Sequence, residues 1–169
     1  DMHHSFTPVE TQLLADIATT GGSFIFPVAA MSNVAQGAAA LSVLLVLKKD
    51  NKMKGIASAS GISALLGITE PAIFGVNLKL RYPFYGAMIG TAVSSAYIML
   101  TKVLALAPGA AGLPGIISIR PDSMINYIIG MAISMAVAVA STIILAKTTA
   151  KKSTTKKAAE NKEAINRRN

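Results

Sequence analysis

The sequence predicts an all-α, polytopic membrane protein: a helical bundle that carries a re-entrant hairpin. Three observations carry that expectation. First, 52% of the residues are hydrophobic and only 14% are charged, whereas soluble domains hold about a quarter charged residues. Second, the apolar residues lie in long blocks rather than in amphipathic stripes, and the longest blocks match the roughly 20 residues that a bilayer span needs. Third, one apolar stretch is interrupted by Gly55, Gly61, Gly67, Gly75 and Pro71. A straight helix accommodates these poorly, because each Gly loses about 1 kcal/mol and Pro about 3 kcal/mol in a helix interior relative to Ala.

Taken in order, the elements begin with Thr7, Pro8 and Glu10, which read as N-cap, N1 and N3 of a capping box. The helix they start runs to about Ala18 and leaves His3 and His4 in the turn before it. A first span is expected near 24–47, where Ser32, Asn33 and Gln36 interrupt the apolar run. The broken stretch near 55–80 follows. Further spans are expected near 84–107, with Lys102 as its only charge, and near 124–146, with none. Residues 1–146 form the membrane part, and 147–169 form a basic tail or linker. The chain begins at Asp1 in the middle of a plausible folded motif and has no basic-then-apolar leader, so it reads as a C-terminal piece of something larger.

The net charge of +8 suggests a nucleic-acid partner until it is located. Half of the sixteen Lys and Arg residues lie between positions 147 and 168, directly after the last span. That tail lacks the aromatics on which single strands stack, so no nucleic acid is expected. It reads first as a solvated stop-transfer flank and second as a contact for anionic membrane lipid. Short-loop Lys and Arg mark the cytoplasmic side. Lys48, Lys49, Lys52 and Lys54 therefore place the end of the first span in the cytoplasm, and Lys79 and Arg81 place the start of the second there. The Pro- and Gly-rich loop 108–122, with Arg120 set against Asp122, is then external, and the C-terminus is cytoplasmic. Under this assignment the 55–80 stretch must enter and leave on one side. A re-entrant hairpin with its turn near Thr69 to Pro71 meets that condition; a full span plus a short return segment is the alternative.

Three groups of residues could carry chemistry. Glu70 is a carboxylate within an apolar stretch, an expensive placement that marks a functional site by default. Its bland role is to cap the second half-helix together with Thr69, ahead of Pro71. His3 and His4 could donate hydrogen bonds to a substrate or serve structure alone. Asn33 and Gln36, three residues apart, share a helix face and either line a cavity or tie neighbouring helices, which is the commoner use of amides in membranes. Lys102 can snorkel to an interface. No metal site is expected, since the chain has no Cys and only two His. No phosphate-binding Gly-rich loop, zinc motif or nucleophile elbow is present, and no cofactor is implied.

The run Gly67-Ile68-Thr69-Glu70-Pro71-Ala72-Ile73-Phe74-Gly75, continuing through Asn77-Leu78-Lys79-Leu80-Arg81-Tyr82-Pro83-Phe84, resembles the membrane (IIC) domain of bacterial phosphotransferase-system sugar permeases of the glucose/sucrose superfamily. Met2-His3-His4-Ser5-Phe6 and the segment from Gly21-Gly22-Ser23-Phe24 to Ala35-Gln36-Gly37 resemble its sucrose and related disaccharide branch. The resemblance reaches from the N-terminus to about Ala146. It implies a permease in the cell membrane that binds a disaccharide and presents it to a phosphocysteine on a IIB domain, itself charged by upstream phosphotransferase proteins. The chain would thus be part of a protein-phosphohistidine–sugar phosphotransferase. The resemblance also implies that Glu70 contacts the sugar from a re-entrant hairpin, with Thr69 beside it, and that His3 or His4 lines the same site, which Asn33 and Gln36 could join. Homodimerisation through N-terminal helices and an elevator-like shift are further implications. Those helices, the IIB cysteine and any IIA domain are not in this sequence. The competing expectation is an ion-coupled secondary transporter that uses Glu70 as a protonatable site.

Overall fold

The structure, a computed structural model, describes residues 6–47 and 50–166, with side chains as far as Thr149. Every named element among the described residues is helical. The order is α1 (Thr7–Ala15), α2 (Ile17–Thr20), α3 (Ile25–Val46), α4 (Asn51–Leu65), α5 (Glu70–Ala72), a π-helical segment (Ile73–Asn77), α6 (Leu78–Leu80), α7 (Tyr82–Leu100), two 3₁₀ turns (Leu113–Ser118 and Pro121–Ser123) and α8 (Met124–Asn166). Among the described residues, three helical segments are long and apolar enough to cross a membrane: Ile25–Val46, Tyr82–Leu100 and Pro121–Thr149.

α3 is the axis of the bundle. The most apolar stretch of α3 is 67% buried, against 33% for α7 and 28% for the last span, so α7 and α8 keep broad outward faces. Tyr85, Val93, Ile125 and Ile144 stand on those faces, all exposed, as suits contact with lipid chains. The helices meet through small residues. Ala35, Ala38 and Ala39 of α3 close on Ala87 of α7 and Ala138 of α8. Along the α7–α8 seam, Gly86 faces Thr142 and Gly90 faces Ala138 and Ser134, and buried Ser94 continues their four-residue spacing. A Cβ added at Gly90 would stand 3.0 Å from the Ser134 carbonyl, so the seam depends on the bare glycine. Such small-residue ridges let backbones approach where lipid supplies no hydrophobic drive.

The contacts also fix relative directions. Gly86 meets Thr142 and Gly90 meets Ala138, so α7 and α8 are antiparallel. Gly130 lies by Met31 and the Ser134 hydroxyl donates to the Met31 carbonyl (2.9 Å), while Ala138 lies further along α3, so α3 and α8 run the same way. This is the alternation that the charge pattern required.

Three expectations are corrected. The second long helix ends at Leu100, not near Ala107. Lys102 adopts a left-handed backbone (φ 52°), and the next residues run extended. Ser23 and Ala105 exchange two 2.8 Å backbone hydrogen bonds, and Leu106 N–H donates to the Ser118 carbonyl (2.8 Å). The capping box at the start of α1 does not form, because Phe6 rather than Thr7 occupies the N-cap position and makes no side-chain cap bond. α1 also stops at Ala15, with the separate α2 after it. The backbone of α8 continues helical beyond the last span, through Asn166.

Candidate functional site

Residues 51–80 fold into a helical hairpin. α4 starts where the Asp50 carboxylate accepts from Met53 N–H (3.0 Å), an N-cap. It runs antiparallel to α3, with Val43 and Ala40 beside Met53 and Ala57, and Gly37 against Gly61. A Cβ on Gly37 would lie 2.9 Å from the Gly61 carbonyl, so α4 lies directly on α3 there. The helix then ends on Gly67 at φ 108°. Gly67 N–H donates to the Ala64 carbonyl (3.0 Å) and Ile68 N–H to the Ser63 carbonyl (3.0 Å), the paired bonds of a Schellman cap. The Ser63 hydroxyl adds a bond to the Ile68 carbonyl (3.1 Å). The turn is thereby tied from both sides.

The returning arm begins with Thr69 at the N-cap position and Glu70 and Pro71 at its first two residues. Thr69 is buried, and its side chain makes no cap bond to the helix. Glu70 is exposed on the returning arm. The reason is angular. Ala72 and Val76, four residues apart, pack the arm against α4 and α3, and Glu70 lies two residues, about 200°, from Ala72 on a helix of 3.6 residues per turn. The packing that buries Ala72 turns Glu70 outward. Its charge sits in the first turn, where the helix dipole favours an anion.

Asn33 and Gln36 do share a face of α3, and both are buried. The Asn33 amide donates to the Ala111 carbonyl (2.6 Å). The Gln36 side-chain oxygen accepts from the Asn77 amide (2.6 Å), which also reaches the Gln36 main-chain carbonyl (3.1 Å). Asn77 closes the π-helical segment, a feature often found near functional sites, and its own Oδ1 is buried with no partner among the described residues. The loop that Asn33 holds is pressed on the hairpin tip. Gly112 stands so close to the Leu65 carbonyl and Gly67 N that a Cβ would not fit, and the Tyr127 hydroxyl pins its carbonyl (3.0 Å). Asn33, Gln36, Asn77 and Tyr127 thus hold the turn that presents Thr69 and Glu70. Asn77 and Tyr127 escaped sequence reasoning, although an Asn within an apolar arm was a usable signal. His3 and His4 lie outside the described residues. Among the described residues no three His, Cys, Asp or Glu side chains gather as a metal site.

The sequence model of the family described as "Phosphotransferase system, EIIC" matches residues 1–91. The chain is 67% identical to a "PTS system sucrose-specific EIIBC component" of Vibrio alginolyticus, over 85% of this chain and 30% of that protein. It is 64% identical to the sucrose-specific EIIBC component of Pasteurella multocida, over 86% of this chain and 31% of the relative. A trehalose-specific EIIBC component of Bacillus subtilis is 47% identical over 86% of this chain and 30% of its own length. The chain therefore spans about 30% of the length of these curated relatives. No solved structure matches it. Because the family model covers more than half of the 169 residues, the Glu70 hairpin and the helices that hold it can be assigned: this chain belongs to the phosphotransferase system EIIC family.

Proposed function

We propose that the chain is part of a phosphotransferase-system permease that binds a disaccharide of the sucrose type and delivers it to the cytoplasm as its phosphate. The observation that carries this reading is the 67% identity to a sucrose-specific EIIBC component, joined to a carboxylate exposed at the tip of a tied hairpin. In this proposal Glu70 accepts hydrogen bonds from sugar hydroxyls. It takes the proton of the hydroxyl that attacks phosphorus, general-base work suited to a carboxylate within hydrogen-bond reach. The O–P bond forms as the S–P bond of a phosphocysteine breaks and its thiolate leaves. This chain has no cysteine, so a IIB domain, charged by upstream phosphotransferase proteins, supplies the phosphate. Thr69 and one of His3 and His4 complete the site. Asn33 and Gln36 act as positioning residues, because their amides are engaged with Ala111 and Asn77.

In the bilayer the hairpin enters from the cytoplasm, the 108–122 loop reaches down from outside, and the C-terminus is cytoplasmic. The arms support this, since α4 with 15 residues is about 22 Å long, short of the roughly 30 Å hydrocarbon core. Dimerisation through a preceding part of the longer protein belongs to the same proposal. The test uses vesicles of the full-length protein with phosphoenolpyruvate, the general phosphotransferase proteins and labelled sucrose. Sucrose phosphate inside the vesicles is the expected product. Free sucrose driven by a proton gradient contradicts the proposal and favours ion coupling.

A further inference from the structure

The returning arm of the hairpin has two faces. Ala72 and Val76 lie in one buried cluster with Ala57 and Ala64 of α4 and Ala40 of α3. A Cβ on Gly75 would meet the Ile56 side chain of α4 at 3.5 Å, and the Asn77 amide is tied to Gln36 of α3 (2.6 Å). These contacts fix the arm's rotation about its own axis. They turn Glu70, Phe74 and Leu78 outward, at a spacing of four residues and all exposed. Phe74 is 69% exposed. Ile73 N–H donates to the Thr69 carbonyl (2.9 Å), which keeps the intervening turn α-helical. Residues one such turn apart hold their Cβ atoms about 5–6 Å from each other. The Glu70 carboxylate and the Phe74 ring therefore border the same space.

An outward Phe on a membrane helix ordinarily meets lipid, and Glu70 argues against lipid here. From Leu80 back to Glu70 the arm rises about 15 Å, half of the roughly 30 Å hydrocarbon core. In the topology proposed above, this face then lies near the bilayer midplane. A carboxylate stands at that depth where it faces the protein interior or a water-filled cavity. Phe74 shares the face, so it shares that cavity.

We propose that Phe74 binds the sugar by stacking its ring on the C–H face of the same sugar unit whose hydroxyls donate to Glu70. The assignment rests on the permease reading above. A sugar ring is amphipathic, with hydroxyls around its edge and C–H groups on its faces. A carboxylate alone orients the edge and leaves the face free to tilt. A flat apolar wall beside it fixes the face as well, and small-molecule clefts pair a few polar groups with aromatic walls in this way. The two residues are carried by one turn of helix, so they keep their relation however the hairpin moves.

The test is equilibrium binding of labelled sucrose to the full-length protein. Phe74→Leu, which keeps an apolar side chain but removes the ring, should bind about three- to tenfold more weakly, the range that aromatic contacts add beyond area burial. Phe74→Tyr keeps the ring and should bind within about twofold of the wild type. A loss shared equally by both variants marks a packing defect and overturns the proposal. The chain has no Trp, so Phe74→Trp adds a local reporter. The emission it adds over the wild type should change on titration with sucrose, and should no longer respond at the same concentrations once Glu70→Gln is added. Wild-type affinity in Phe74→Leu, or an emission that sucrose leaves unchanged, overturns the proposal and gives the ring to lipid or to another part of the protein. The permease reading survives either result. If the wild type binds no sucrose, both fall.

Discussion

Glu70 was legible as a candidate because a carboxylate in an apolar stretch stands out in any composition plot, but its outward orientation was not. Burial depends on which face of a short arm packs, and that is decided by Ala72 and Val76 against α3 and α4. Asn33 and Gln36 were legible as one face from their spacing. Their partners were not, since Ala111 is 78 residues away and Asn77 is 41 away. Local pattern also misled at Thr7, where the capping-box residues are present but Phe6 takes the cap position and Glu10 turns to Ser23 instead. At this scale Asn77→Leu should destabilise the protein by about 1–3 kcal/mol, because the buried Gln36 oxygens lose their donor. The value should fall toward the low end, since the substitution also removes the unpartnered Oδ1. A lower melting temperature in detergent is the readout, and adding Gln36→Leu should cost less than the sum of the two single changes.

The hairpin as an element was legible from glycine, proline and charge, but only one of its glycines makes the turn. Gly55 and Gly61 lie within α4 and Gly75 within the π-helical segment; only Gly67 is left-handed. Gly61 is required by its contact with Gly37, a tertiary reason that propensity cannot reveal. Pro71 does not break a helix but helps start one, as proline does in a first turn. Gly67→Ala should therefore cost about 1–2 kcal/mol from the left-handed backbone and slow sugar phosphorylation with little change in membrane insertion. A variant at full activity would show that the turn geometry is not needed. Along the other seam, Gly90→Leu should separate α7 from α8, since even a Cβ meets Ala138 and the Ser134 carbonyl. Loss of the folded, monodisperse species in size-exclusion chromatography checks this.

For the whole molecule, hydropathy located the helices and charge forecast their alternation, because both signals are local and additive. The folded-back loop was not legible: its extended pairing of Ala105 with Ser23 and Ile119 joins three distant segments. That loop abuts the hairpin tip, with Ala111 against Gly67 and Gly112 against Leu65. The chain corresponds to about 30% of its relatives' length, so the site is to be tested in the full-length protein. The most direct measurement is equilibrium binding of labelled sucrose to full-length protein carrying Glu70→Gln, beside the wild type. The variant should insert and elute as the wild type does, yet bind sucrose about ten- to a hundredfold more weakly, the loss expected when charge-assisted hydrogen bonds become neutral ones. Unchanged affinity would contradict the claim that Glu70 holds the sugar and leave it as the first residue of a helix.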